Sequence, residues 1–116
     1  GLPHFEMQIT LMNAHVIAAI AGPKENWPAA GDQLFVDLDL SEQALPIGTR
    51  LRIGEAEIEI TQQEHTGCAK FGDRYGVDAL RWVNSKERHA SRLRGVNARV
   101  IQGGEIQLGD LLCKAE

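Results

Sequence analysis

Cys68 lies in the run His65-Thr66-Gly67-Cys68-Ala69-Lys70-Phe71-Gly72-Asp73-Arg74-Tyr75-Gly76, which sets a thiol beside a histidine and two cations. Thiolate is the reactive form of cysteine, and nearby Lys, Arg or protonated His favours it by opposing the charge on sulfur. Lys70, Arg74 and His65 are the local candidates for that role. His65, three residues ahead, could also take the thiol proton, the nucleophile-and-base arrangement of covalent catalysis. The plainer alternative is a small buried hydrophobe, because free cysteine is among the most buried residue types, with His65 an ordinary surface histidine. Gly67, Gly72 and Gly76 weigh toward a loop shaped for access. A zinc site of His65 and Cys68 with His89 or Cys113 is a weaker alternative, since the chain has two cysteines and no C-x-x-C pair. Cys113, beside Leu111 and Leu112, reads as a packing residue in a last strand, and its near-terminal position leaves open a resolving thiol for Cys68.

Charge supports an interest in the same region. The net charge is −4, which gives no basis for non-specific nucleic-acid binding. From His65 to Arg99, however, eight cations stand against three anions, while the rest of the chain holds four cations and thirteen anions. Solvated outer helix faces would explain this, and so would an anion site on which several of the arginines converge.

These residues need elements to hold them. Gln8 to Met12 reads as a strand, and Asn13 can cap a helix from Ala14 to Ile20 that Gly22-Pro23 ends. Lys24 to Asp32, with Pro28 and Gly31, reads as an irregular connection. Leu34, Val36, Leu38 and Leu40 alternate with Phe35, Asp37 and Asp39, a strand with one buried face. The Asp37-x-Asp39 pair could bind a hard cation, although solvation on an exposed strand face explains it more simply. Leu51 and Ile53 lead through Gly54-Glu55 into Ala56, Ile58 and Ile60, a hairpin suited to a type II′ turn. Cys68 follows its second strand by a few residues. Val77 to Val83 suggests a short helix after Gly76, and Lys86 to Leu93 another. Val96 to Ile101 and Ile106 to Leu112, joined by Gly103-Gly104, read as a closing hairpin. Trp27 and Trp82 read as core or rim aromatics. Short strands with glycine turns and few helices predict a small β-barrel with helical decoration.

At 116 residues the chain is the size of one domain, and no apolar stretch approaches the roughly 20 residues of a membrane span. The sparse cysteines fit a reducing compartment, so a cytoplasmic protein without membrane or nucleic-acid partners is expected. The start Gly1-Leu2-Pro3-His4 lacks methionine, which suggests that part of the N-terminal region is missing. Walker, G-x-G-x-x-G, G-x-S-x-G and H-E-x-x-H motifs do not occur.

From Leu11 to Asp110 the chain resembles the MOSC domain, the module related to the C-terminal part of molybdenum-cofactor sulfurases. The resemblance is carried by His65 to Phe71, by Arg74-Tyr75-Gly76-Val77-Asp78-Ala79-Leu80-Arg81, by Arg92-Leu93-Arg94-Gly95-Val96-Asn97-Ala98-Arg99-Val100 and by Gly104-Glu105-Ile106-Gln107-Leu108-Gly109-Asp110. It implies a mainly β fold, a small barrel of the pyruvate kinase β-barrel-like kind, spanning residues 1–116 as one domain. It also implies an important cysteine, matched by Cys68, that either carries a transferable sulfur as persulfide or ligates the metal of molybdenum cofactor. Lys70, Arg74, Arg92 and Arg94 would then neutralise an anionic group such as the cofactor phosphate, while His65 tunes the thiol. The chain carries no flavin, iron–sulfur or pyridoxal phosphate module, so a cysteine desulfurase or a molybdoenzyme is the expected partner. The alternative is a non-catalytic barrel that binds a small anionic ligand or a protein, and self-association stays open. An exposed Cys68 in a cleft with converging arginines favours the first reading, and a buried sulfur among apolar side chains favours the second.

Overall fold

The computed structural model describes residues 9–115. Six strands form one curled, mixed sheet in the order β2-β1-β5-β4-β3-β6, a half-barrel with short helices on its outside. The strands are β1 (Ile9–Asn13), β2 (Leu34–Val36), β3 (Arg50–Ile53), β4 (Ala56–Glu64), β5 (Val96–Gln102) and β6 (Leu112–Lys114), and the α-helices are α1 (Ala14–Ala21), α2 (Ala69–Tyr75) and α3 (Val77–Val83). Two 3-10 helices, Lys24–Ala30 and Lys86–Ser91, complete the fold. Gln8, the expected first residue of β1, lies outside the described residues.

Alternation along β1 sends neighbouring side chains to opposite faces of the sheet. Leu11 packs on the barrel side with Leu45, Leu51, Ile58, Ile60 and Ala98, while Met12 joins Ile17, Phe71 and Val83 under the helices. β1 is therefore buried on both faces. As expected, Asn13 caps α1, its Oδ1 accepting from the His15 and Val16 amides at 2.8 and 3.1 Å. The β3–β4 hairpin also forms. A positive φ of 55° at Gly54, with no positive φ at Glu55, is the first-position requirement of a type II′ turn.

Four local expectations are corrected. The strand from Leu34 stops at Val36, because Asp39 Oδ1 turns back to accept from the Ser41 amide and Asp37 pairs with His15 at the surface. The segment after Cys68 is helix α2, not a loop. Gly72 lies inside it because a Cβ there would meet Leu80 Cδ2 at 2.9 Å, so this glycine serves close packing of α2 on α3. Lys86 onward forms a 3-10 helix that ends where Arg92 adopts a positive φ of 50°. The closing hairpin does not form: β5 is already paired on both sides, with β1 and β4. The chain instead crosses the β3–β4 turn, where Glu55 N–H donates to Glu105 O, and returns as β6 against β3.

Candidate functional site

Three segments meet where β4 gives way to the helices. β4 ends at Glu64, His65-Thr66-Gly67 follows, and Cys68 occupies the N-cap position of α2. The loop is held by an amide clamp. Gly67 N–H donates to Asn84 Oδ1 at 2.8 Å and Asn84 Nδ2 donates to Gly67 O at 2.9 Å. Gly67 allows this approach because a Cβ would fall 2.9 Å from both Leu80 Cδ1 and Val83 Cγ2. Asn84→Ala should lower stability by about 1–2 kcal/mol, the loss of two partly exposed hydrogen bonds. Thermal unfolding and the exchange protection of the Gly67 amide would both register it.

Cys68 is exposed. Its thiol is held below the ordinary cysteine range, chiefly by the backbone N–H groups of Phe71 and Lys70 at the start of α2 and to a smaller extent by the Arg94 charge. Cys113, expected in packing, is exposed on β6, because that strand runs along the outer edge of the sheet.

Beside this cysteine lies a group of three ionisable side chains, two of them buried and the third, His65, half-buried. Asp32, just past the first 3-10 helix, has its carboxylate buried and receives His65 Nε2 on Oδ1 at 2.8 Å and Arg94 Nη1 on Oδ2. Burial alone would raise the Asp32 pKa, but the His65 hydrogen bond and the Arg94 charge outweigh it and hold the carboxyl below its usual value. Arg94 also donates to Ala30 O at 2.8 Å and lies 4.9 Å over the Phe71 ring, while its buried Nε has no partner among the described residues. The guanidinium thus links the first 3-10 helix, α2 and the start of β5.

The basic stretch divides between braces and free cations. Arg74 donates to Ala29 O at 2.5 Å, and Arg92 Nη1 donates to Leu45 O at 2.5 Å and Leu40 O at 3.3 Å. Lys70 is exposed. Arg92, Arg94 and His65 line one cavity of about 420 Å³, together with Thr66 and Asn84; Cys68, Lys70 and Arg74 are not among its lining residues. Two of the four proposed anion ligands therefore share a cavity with His65, and the other two lie elsewhere on the surface. Among the described residues no group of three His, Cys, Asp or Glu is arranged to hold a metal ion, so His65 and Cys68 are not joined by His89 or Cys113 as in the zinc alternative. Sequence reasoning missed Asp32, which carries no local motif and lies 33 residues from His65.

The chain that folds into this curled sheet matches one known class. A family model of the MOSC domain matches residues 7–112. The chain belongs to the MOSC domain family. Among solved structures it is similar to YiiM from Geobacillus stearothermophilus, at TM-score 0.70 and 20% identity over 97% of this chain and 56% of that one. YiiM from Escherichia coli is similar at TM-score 0.64 and 18% identity, over 96% and 55% of the two chains. A structure described as a hypothetical protein gives TM-score 0.63 and 18% identity, over 97% and 53%. The chain thus spans about half the length of the solved structures it matches. No curated protein matches it in sequence. No described helix is long and apolar enough to cross a membrane.

Proposed function

We propose that this domain handles sulfur through Cys68, accepting it as a persulfide from a donor protein and passing it on. The observation that carries this reading is an exposed sulfur whose thiolate is favoured by the first amides of α2 and by Arg94. In the loading step the Cys68 thiolate attacks the terminal sulfur of a donor persulfide, R–S–SH. A sulfur–sulfur bond forms to Cys68, the donor's sulfur–sulfur bond breaks, and R–S⁻ leaves with the electron pair. No external oxidant is required. A pyridoxal phosphate-dependent cysteine desulfurase is the donor class that presents such a persulfide, and a molybdoenzyme or its cofactor is the acceptor class the family suggests.

Molybdenum cofactor fits this chain at one end. A soft exposed thiolate at Cys68 suits molybdenum. At the phosphate end, Arg74 and Arg94 already serve Ala29, Ala30 and Asp32, and of the remaining two candidates Arg92 lies on the cavity wall with Nε and Nη2 to offer while exposed Lys70 lies outside it. When bound, the cofactor would supply oxygen- or sulfur-atom transfer at the metal. The residues of this chain would contribute a thiolate ligand, Cys68, and its orientation.

Incubating the reduced chain with a cysteine desulfurase and cysteine should add the mass of one sulfur atom in intact-mass spectra. Cys68→Ser should abolish the addition and Cys113→Ser should leave it. Loading at Cys113 instead, or none at all, would remove the reading.

A further inference from the structure

We infer that Asp32 is a positioning residue that fixes His65 in its Nε2–H tautomer, so that Nδ1 serves the cavity as acceptor for an N–H or O–H group of a bound small molecule. The inference does not rest on sulfur chemistry at Cys68, which lies outside the lining of this cavity.

An ionised carboxylate can only accept hydrogen bonds. Asp32, its carboxylate buried and paired with Arg94, is such a group, and its Oδ1 lies 2.8 Å from His65 Nε2; that nitrogen therefore carries a proton. A neutral imidazole holds one ring proton, here the one on Nε2. Nδ1 is then a lone-pair acceptor. It bonds none of the described residues, while the Cδ2 side of the ring is packed toward Gly95, which turns Nδ1 away from that backbone.

His65 is itself part of the wall of the 420 Å³ cavity, a volume in the range of small-molecule sites. Arg92, on the same wall, commits Nη1 to the Leu40 and Leu45 carbonyls and feels the charge of Glu42, while Nε and Nη2 make no hydrogen bond to the described residues. The groups on this wall thus include an acceptor, His65 Nδ1, and a cationic donor, Arg92, beside the Glu42 carboxylate and the polar side chains of Gln62, Thr66 and Asn84. The ligand class that answers both is a small polar molecule with a proton-bearing nitrogen or oxygen and an acceptor group.

The test is a two-bond proton–nitrogen NMR spectrum of the full chain labelled with ¹⁵N-histidine, taken at about pH 8, where an ordinary imidazole is neutral. His65 should show a single tautomer with Nε2 protonated and Nδ1 bare. Asp32→Asn, whose amide can donate to Nε2, should move the population toward Nδ1–H. Diethyl pyrocarbonate, which acylates a bare and reachable imidazole nitrogen, should label His65 through Nδ1, more slowly than His15 or His89. A wild-type His65 found as Nδ1–H overturns the inference whether or not the variant folds. So does a His65 left unlabelled after His15 and His89 have reacted.

Discussion

Asp32→Asn should cost about 3–5 kcal/mol of stability, because it strips a buried guanidinium of its counter-charge without returning Arg94 to water. A domain of this size has about 5–15 kcal/mol in total, so the variant should be barely folded at 37 °C. Removing both partners, as in Asp32→Asn with Arg94→Met, should restore part of the loss, since no charge is then left unpaired. That non-additivity, measured by urea unfolding, separates an electrostatic pairing from simple packing. The same pair sets an acid limit. Asp32 has a folded-state pKa below its unfolded value, so its contribution is complete above the unfolded value of about 3.9 and is lost as pH falls through the lower folded one. Stability rises with pH wherever the unfolded chain binds more protons. Wild-type protein should therefore lose stability more steeply than Asp32→Asn below about pH 4, and an identical slope in the two would show that the pair does not ionise as described.

Gly95→Ala should be at least as damaging. Gly95 has a φ of 117°, and a Cβ there would overlap the carbonyl of Leu11. That carbonyl belongs to β1, which is buried on both faces and hydrogen-bonded on both edges, so the obstruction cannot move aside. Backbone strain of this kind costs about 1–3 kcal/mol, and with the clash the total should reach about 4 kcal/mol or more. The expected result is a chain recovered mainly in the insoluble fraction, with the soluble remainder unfolding at much lower urea. Gly103→Ala is the control. No atom lies within 4 Å of a Cβ at that position, and its effect should stay within about 0.5 kcal/mol.

The parts of this fold that depend on local pattern were legible in the residues. Asn13 before an apolar-periodic run announces α1, and Gly54-Glu55 between two alternating runs announces the β3–β4 hairpin. The order of the motifs from His65 to Asp110 pointed to the MOSC domain, whose family model covers the same stretch. What was hidden depends on partners far away in the chain. α2 reads as a loop because Gly72 is a poor helix former; only the approach of Leu80 explains a glycine inside that helix. The segment before β6 reads as the return of a hairpin because Gly103-Gly104 is a good turn, yet β5 has no free edge to receive it. Asp32 reads as one more polar residue of a connection. Its partners, His65 and Arg94, lie 33 and 62 residues further on, and Arg94 reads as a free cation until its carboxylate is found.

The same distinction applies to the thiol. Lys70 and Arg74 look like the source of a stabilised thiolate from sequence, but Arg74 is turned to Ala29, and the leading influences on the Cys68 sulfur are backbone amides of α2 followed by Arg94. Backbone amides cannot be read from residue type. They exist at this position because α2 begins at Ala69, immediately after the cysteine.

The rate of iodoacetamide alkylation at Cys68 against pH, followed by peptide mass analysis beside Cys113 in the same chain, tests most directly whether the fold makes this thiol ready to accept sulfur. Cys68 should reach half its maximal rate at a pH below the roughly 8.5 of an ordinary thiol, and should react faster than Cys113 at neutral pH although both are exposed. A Cys68 midpoint at or above the ordinary value would contradict the account.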